Sequence, residues 1–148
     1  MKNITLLFVT LLLCATYVSL FAQESLQKKQ AKVGEQVWLI TVTIKNDQKS
    51  NFEKWINEVM YPALRNSKDK GKQDQLKSTR WLTPTAQNAD QTWTYAWIMD
   101  PVVVGGNYEI PPFLKQVYGE ELGQKHWEAY LSYLTKEPEV IALIQTNY

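Results

Sequence analysis

"TWTYAWIMDP", residues 92–101, places Trp93, Tyr95, Trp97 and Met99 at every second position, with Thr92, Thr94, Ala96 and Ile98 between them. Successive residues of a strand point to opposite faces, so a strand here presents all four large side chains on one side of a sheet. Three aromatic rings bring roughly 500 Å² of largely apolar surface, on the order of 10 kcal/mol of burial and comparable to a domain's whole net stability. Such a face does not stay wet. Helices, a second subunit or a ligand must cover it.

The chain opens MKNITLLFVTLLLCATYVSLFAQ: one basic residue, an apolar run from Ile4 to Ala15, then a mixed segment closing on Ala22. This is the pattern of a secretory signal peptide, residues 1–22, with cleavage expected after Ala22. An uncleaved anchor is the competing reading, since residues 4–22 are just long enough to span a bilayer, but Thr10, Thr16 and Ser19 interrupt the run. Cys14 does not read as a lipidation site, because Leu13 precedes it. The protein is therefore expected to be exported, periplasmic or extracellular, and free of the membrane once cleaved.

Removal of residues 1–22 takes away Lys2 and no acid, leaving a formally neutral chain with nothing to steer nucleic acid. It also removes Cys14, the one cysteine, and with it disulfides, thiolate nucleophiles and cysteine metal sites. A three-ligand zinc site is disfavoured too, because His126 is the single histidine. No metal is expected. Residues 23–35, polar and aperiodic, read as a flexible lead-in, and 36–148 as a single domain.

In QVWLITVTIK, residues 36–45, Trp38, Ile40, Val42 and Ile44 form one apolar strand face. Asn46 and Asp47 supply a turn, and Ser50 with Glu53 makes a capping box that starts a helix. Phe52, Trp55, Ile56, Val59, Met60, Ala63 and Leu64 recur at the spacing of one buried helical stripe. Pro62 conflicts with a regular helix, so a kink is expected near Glu58–Tyr61. The charged stretch RNSKDKGKQDQLKSTR, residues 65–80, reads in its first half as a solvated surface loop rather than an anion site, its cations being interspersed with Asp69 and Asp74. A second strand is expected from Leu76 to Thr85, joined by a turn at Asn88–Asp90 to the aromatic strand.

The connection VVVGGNYEIPP follows, in which Gly105 and Gly106 fit a tight turn more simply than a closing lid. Pro111 and Pro112 suit a first helical turn. Gly119 and Gly123 divide the next helical pattern into two pieces. After Pro138, VIALIQ, residues 140–145, reads as a final buried strand.

The order βαββαβ is the split arrangement of the ferredoxin-like fold: an α+β domain with a four-stranded antiparallel sheet and two helices on one face. With apolar residues on both sides of the strands, the second face calls for a partner. On this order, on FEKWINEVMYPAL and on the aromatic third strand, the chain resembles the dimeric α/β-barrel superfamily and its small monooxygenase-like or stress-responsive members. The resemblance implies a homodimer closed through the helix-free sheet face. The superfamily includes cofactor-free quinone-forming monooxygenases, haem-degrading monooxygenases, haem-dependent peroxidases and many proteins without known activity. In the haem-degrading branch a tryptophan late in the third strand and a histidine on the second helix flank the haem, and Trp97 and His126 occupy similar places. The branch's first-strand asparagine has no counterpart, that face offering Thr41 and Thr43.

His126 is the one side chain whose ordinary titration falls near neutral pH. It is either an axial ligand or general base, or a boundary residue with one nitrogen hydrogen-bonded and its ring packed by Trp127; the second reading is preferred. Trp93, Tyr95 and Trp97, joined by Trp38 or Trp81, line a pocket for a flat apolar ligand or simply pack the core, with Tyr95, Tyr130, His126 and Arg80 as the polar candidates. The leading expectation is an exported homodimeric barrel that binds a small apolar or aromatic ligand without a resident cofactor. An oxygen-dependent enzyme using Trp97 and His126, with or without haem, and a ligand-free structural or interaction module are the alternatives.

Overall fold

The computed structural model describes residues 28–147, so the expected signal peptide and residues 23–27 of the lead-in lie outside the described part. Strand β1 (Gln36–Ile44) leads through a short 3-10 turn (Asn46–Gln48) into helix α1 (Lys49–Trp55), a π turn (Ile56–Met60) and helix α2 (Tyr61–Asn66). Helix α3 (Lys70–Ser78) runs directly into β2 (Thr79–Leu82), and β3 (Trp93–Met99) follows. Helices α4 (Ile110–Tyr118) and α5 (Glu120–Tyr133) then precede β4 (Glu139–Ile144). The four strands lie in the order β2-β3-β1-β4, every pair antiparallel. The chain has the ferredoxin-like fold.

Register assigns the faces. Trp38 pairs with Met99, Ile40 with Trp97, Val42 with Tyr95 and Ile44 with Trp93, which puts both alternating apolar rows on one side. Trp81 pairs with Trp97 and Val140 with Ile40, extending that side onto β2 and β4. Phe52 of α1 packs on it, its ring centroid 4.8 Å from that of Tyr95 and 5.6 Å from that of Trp81. Val42, Ile44, Phe52, Tyr95 and Leu114 have no exposed surface at all.

The stripe read on the first helix is the buried one, but its N-terminus is made differently from the expected capping box. The 3-10 turn carries the chain straight into α1 without a side-chain cap. The Glu53 carboxylate accepts instead from Lys49 Nζ at 2.7 Å and from the Tyr95 hydroxyl at 2.7 Å. The kink foreseen at Pro62 takes the form of the π turn, in which the Tyr61 amide reaches back five residues to the Ile56 carbonyl. The wider turn accommodates a proline ring that a regular helix would press against the carbonyl four residues back.

Two sequence readings are corrected. The segment read as a surface loop running into a strand from Leu76 is helix α3 through Ser78, and only Thr79–Leu82 is strand. Asp69 starts that helix by accepting from the amides of Gly71 at 2.7 Å and Lys72 at 3.3 Å. Its buried side is made of Leu76 together with Lys72, Gln75 and Ser78, three side chains that hydropathy assigns to water. The last strand is exposed along its whole length rather than buried. It is an edge strand paired to β1 alone, so both its apolar rows stand open.

The described part of the lead-in carries no helix or strand, yet it is tied down. Lys28 Nζ donates to the carbonyls of Leu76 at 2.8 Å and Thr79 at 2.7 Å, and the Gly34 amide to the Gln145 carbonyl at 2.9 Å.

Gly119, at φ +84°, breaks the second helical segment into α4 and α5 as the sequence suggests. Gly123 then sets how closely the two pieces approach. A Cβ there would lie 2.5 Å from Lys115 Cα and N and 2.6 Å from the Leu114 carbonyl carbon. Backbone atoms cannot step aside as a side-chain tip can. Gly123→Ala should therefore lose about 2 kcal/mol despite the better helix propensity of alanine, which is worth about 1 kcal/mol. Urea denaturation checks this, and an unchanged or raised midpoint would contradict the close α4–α5 contact.

Candidate functional site

A cavity of about 250 Å³ lies between the helix-covered face of the sheet and the helices. Its floor is two rungs of the sheet. Trp38, Met99 and Thr79 line it from one rung, and Ile40, Trp97, Trp81 and Val140 from the next. The π turn and α2 supply Ile56, Met60, Tyr61 and Leu64, and α3 supplies Lys72, Gln75 and Leu76. The loop before α4 adds Tyr108 and Glu109, and Phe113 and Tyr130 close the helical side. Most of this surface is hydrocarbon or aromatic ring, with a few polar groups among it, which is the composition of small-molecule pockets.

Four polar features stand out. Trp97 is only 8% exposed, and its indole Nε1–H is buried with no hydrogen-bond partner among the described residues. Its ring centroid lies 5.1 Å from that of Trp81, a strand away. Lys72 is likewise only 8% exposed. Its ammonium donates to the Asn107 carbonyl and sits 4.8 Å from the Phe113 ring centroid, a cation–π distance. Gln75 donates its side-chain amide to the same carbonyl at 2.9 Å, so α3 holds the loop before α4 through one acceptor. The Tyr108 hydroxyl accepts from the Val103 amide at 2.7 Å within that loop.

Burial sets the proton affinities. Desolvation draws the Lys72 amine below its ordinary range, opposed by the negative charges of Asp69 and Glu109. The same cause pushes the phenols of Tyr61, Tyr108 and Tyr130 upward and keeps them protonated at neutral pH.

Of the residues singled out from sequence, Trp97 and Tyr130 line the cavity, as do Trp38 and Trp81, while Tyr95, Trp93, Arg80 and His126 do not. Tyr95 shares the face but has no exposed surface, its ring packed under Phe52 and Trp81 and its hydroxyl bonded to Glu53. Trp93 lies at the far end of the same row, where Nε1 donates to Asn46 Oδ1 at 3.3 Å and Lys49 Nζ stands 5.0 Å from the ring centroid. Arg80 alternates to the opposite face of β2, and its guanidinium pairs with Asp100 at 2.5 Å. His126 faces α4: its ring meets that of Tyr118 edge-on with centroids 4.8 Å apart. It is a half-buried boundary residue, as preferred from sequence, but Tyr118 rather than Trp127 packs it, and its side chain makes no hydrogen bond among the described residues. Its pKa falls through desolvation.

The pairing of Trp97 with His126 implied by the haem-degrading resemblance is thus not made. The histidine that would hold the iron lies outside the cavity walls, so the residues do not fit a haem ligated by His126. Among the described residues no group of three or more His, Cys, Asp or Glu side chains is placed to hold a metal ion.

Lys72, Gln75, Tyr61 and Tyr108 join the site without having been singled out in the sequence. For Lys72 and Gln75 the available signal was the Asp69 cap, which turns the charged stretch into a helix with one side inward.

No protein-family model matches the sequence, and no curated protein matches it. Among solved structures, the chain is similar to a "putative antibiotic biosynthesis monooxygenase" from Caulobacter crescentus CB15. The TM-score is 0.43 and the identity 10%, over 78% of this chain and 92% of that one. That neighbour also has the ferredoxin-like fold. A likeness at this level carries nothing about activity.

The Tyr95–Glu53 bond beneath the cavity gives a pH-dependent prediction. Hydrogen bonding from Lys49, with a smaller contribution from Tyr95, holds the Glu53 carboxyl below its ordinary value of 4.5. A depressed folded value means stability that is present above pH 4.5 and is lost as the pH falls through the folded value. Tyr95→Phe should cost about 1 kcal/mol near neutral pH, a gap that narrows below pH 4.5. Chemical denaturation of both proteins across that range measures it. A constant gap would show that the carboxylate is not involved.

Proposed function

We propose that this chain is an exported, homodimeric binding protein that holds a small, mostly apolar or aromatic ligand in the cavity between the sheet and the helices. The supporting observation is the cavity itself: about 250 Å³ between Trp38, Trp81 and Trp97 on the sheet and Ile56, Met60 and Phe113 above it. Flat rings offer a flat guest a large contact area at little conformational cost.

The homodimer is supported by the other face of the sheet. Leu39 on β1 lies between Ile98 on β3 and Ile141 on β4, and Val37 pairs with Leu143. These neighbours form a continuous apolar surface, with Ile141 46% and Leu143 48% exposed. A patch of that kind on a soluble domain marks an association site, and a second copy presents a matching patch by symmetry. No helix among the described residues is long and apolar enough to cross a membrane.

A thermal-shift and calorimetric screen of neutral two-ring aromatic compounds tests the binding reading. At least one compound should bind and quench tryptophan fluorescence, and Met60→Trp, which adds bulk to the cavity wall, should abolish binding. A screen without binders, or equal binding by folded Met60→Trp protein, would overturn the reading. Light scattering tests the assembly. The wild-type protein should have the mass of a dimer at micromolar concentration, and Ile98→Asp should shift it to the monomer. A monomeric wild type would refute the homodimer.

A further inference from the structure

Two donors carried by the cavity's wall residues lack a full set of acceptors among the described residues. The Lys72 ammonium has three hydrogens and, among the described residues, one acceptor, the Asn107 carbonyl, which the Gln75 amide also uses. Among the described residues no carboxylate lies within ion-pair distance of it. Asp69 and Glu109 are the nearby acids, one at the cap of α3 and the other at the cavity rim. Both are exposed, so each spends its charge largely in water.

Burying an ammonium without a counter-ion is costly, and proteins rarely leave one so. The second donor is Trp97 Nε1–H, which is buried without a partner among the described residues. Buried donors of this kind are uncommon and require an explanation. Both belong to residues that line the same cavity, and the remaining walls are predominantly rings and hydrocarbon.

We infer that the ligand is a small aromatic acid, its ring between the sheet and helix side chains and its carboxylate against the Lys72 ammonium. This inference rests on the binding reading above and adds the charge of the guest. A carboxylate supplies what the ammonium lacks among the described residues, a negative charge within ion-pair distance and several lone pairs, on a group small enough to leave the rest of the molecule apolar. The same group can accept from Lys72 hydrogens that have no partner among the described residues, while the ring lies against Trp97 and the other apolar walls. A neutral guest satisfies the apolar walls equally well but leaves the ammonium uncompensated.

The test compares 2-naphthoate with 2-naphthamide, two nearly isosteric probes that differ in charge, by calorimetry on the full mature chain at pH 7. The acid should bind at least tenfold more tightly, about 1.4 kcal/mol. Lys72→Met should remove that preference while retaining affinity for the amide, and Lys72→Arg, which keeps the charge, should preserve it. Equal affinities in the wild-type protein would overturn the inference and leave the binding reading standing. A preference that persists in folded Lys72→Met protein would also overturn it, by placing the charge recognition elsewhere. If neither probe binds, both the inference and the reading beneath it fail. Should Lys72→Met not fold, the wild-type comparison together with Lys72→Arg decides the matter.

Discussion

Phe52 pins the fold. Its side chain is wholly buried, and its ring lies 4.8 Å from Tyr95, 5.6 Å from Trp81, 6.3 Å from Tyr130 and 6.4 Å from Tyr133, centroid to centroid. Those five rings come from α1, β2, β3 and α5, so one residue joins the sheet to both helical segments. Close packing of large rigid rings fixes the distance between layers at this end. Towards the other end the floor passes to Trp38, Met99 and Thr79, where the Tyr108 ring meets that of Trp38 with centroids 5.1 Å apart and the rest of the space above the rung stays open. The cavity lies beside the aromatic cluster between the same two layers and shares Trp81 and Tyr130 with it.

The helix above that space is shaped by Pro62. A regular helix would keep Ile56, Val59, Met60, Ala63 and Leu64 on one stripe and turn Tyr61 away. The π turn inserts an extra residue into the rotation, so that Tyr61, five residues beyond Ile56, joins Ile56, Met60 and Leu64 on the cavity wall. A proline that costs hydrogen bonding and regularity thereby places a phenol in the site, and burial keeps that phenol protonated.

The readable and unreadable parts of this architecture separate along physical lines. Strand faces were legible because a period of two is set by the pleat and needs no tertiary information, and Trp38 to Ile44 and Trp93 to Met99 lie where alternation puts them. The break at Pro62 was legible as a steric conflict, though not the form of its relief. Helix α3 was not, because its buried side includes Lys72 and Gln75; hydropathy treats these as water-seeking, while their stems cover apolar surface and their polar tips meet Asn107. The site was half legible for a related reason. Period alone places Trp93, Tyr95 and Trp97 together, but which of them meets open space depends on what lies above each rung. Phe52 stands over Tyr95, while Trp97 is left with an unpaired donor. His126 stands apart from the cavity because Gly123 lets α4 and α5 approach closely, and its ring turns to Tyr118 on the neighbouring helix.

Strand β4 links the cavity to the outer face. Val140 points to the cavity, while Glu139 and Ile141 on either side of it point to the surface that bears Leu39 and Ile98. Because successive residues alternate, both surfaces are carried by a single six-residue strand with one in-sheet neighbour. A slip of one residue would exchange them, turning Val140 outward and Ile141 or Glu139 toward the cavity. Inside the subunit, the β1 ladder and the hydrogen bonds joining Glu35 and Gly34 to Gln145 hold that register. Whatever restrains β4 from outside therefore also restrains one wall of the cavity, since the two surfaces share a backbone and cannot be repositioned separately.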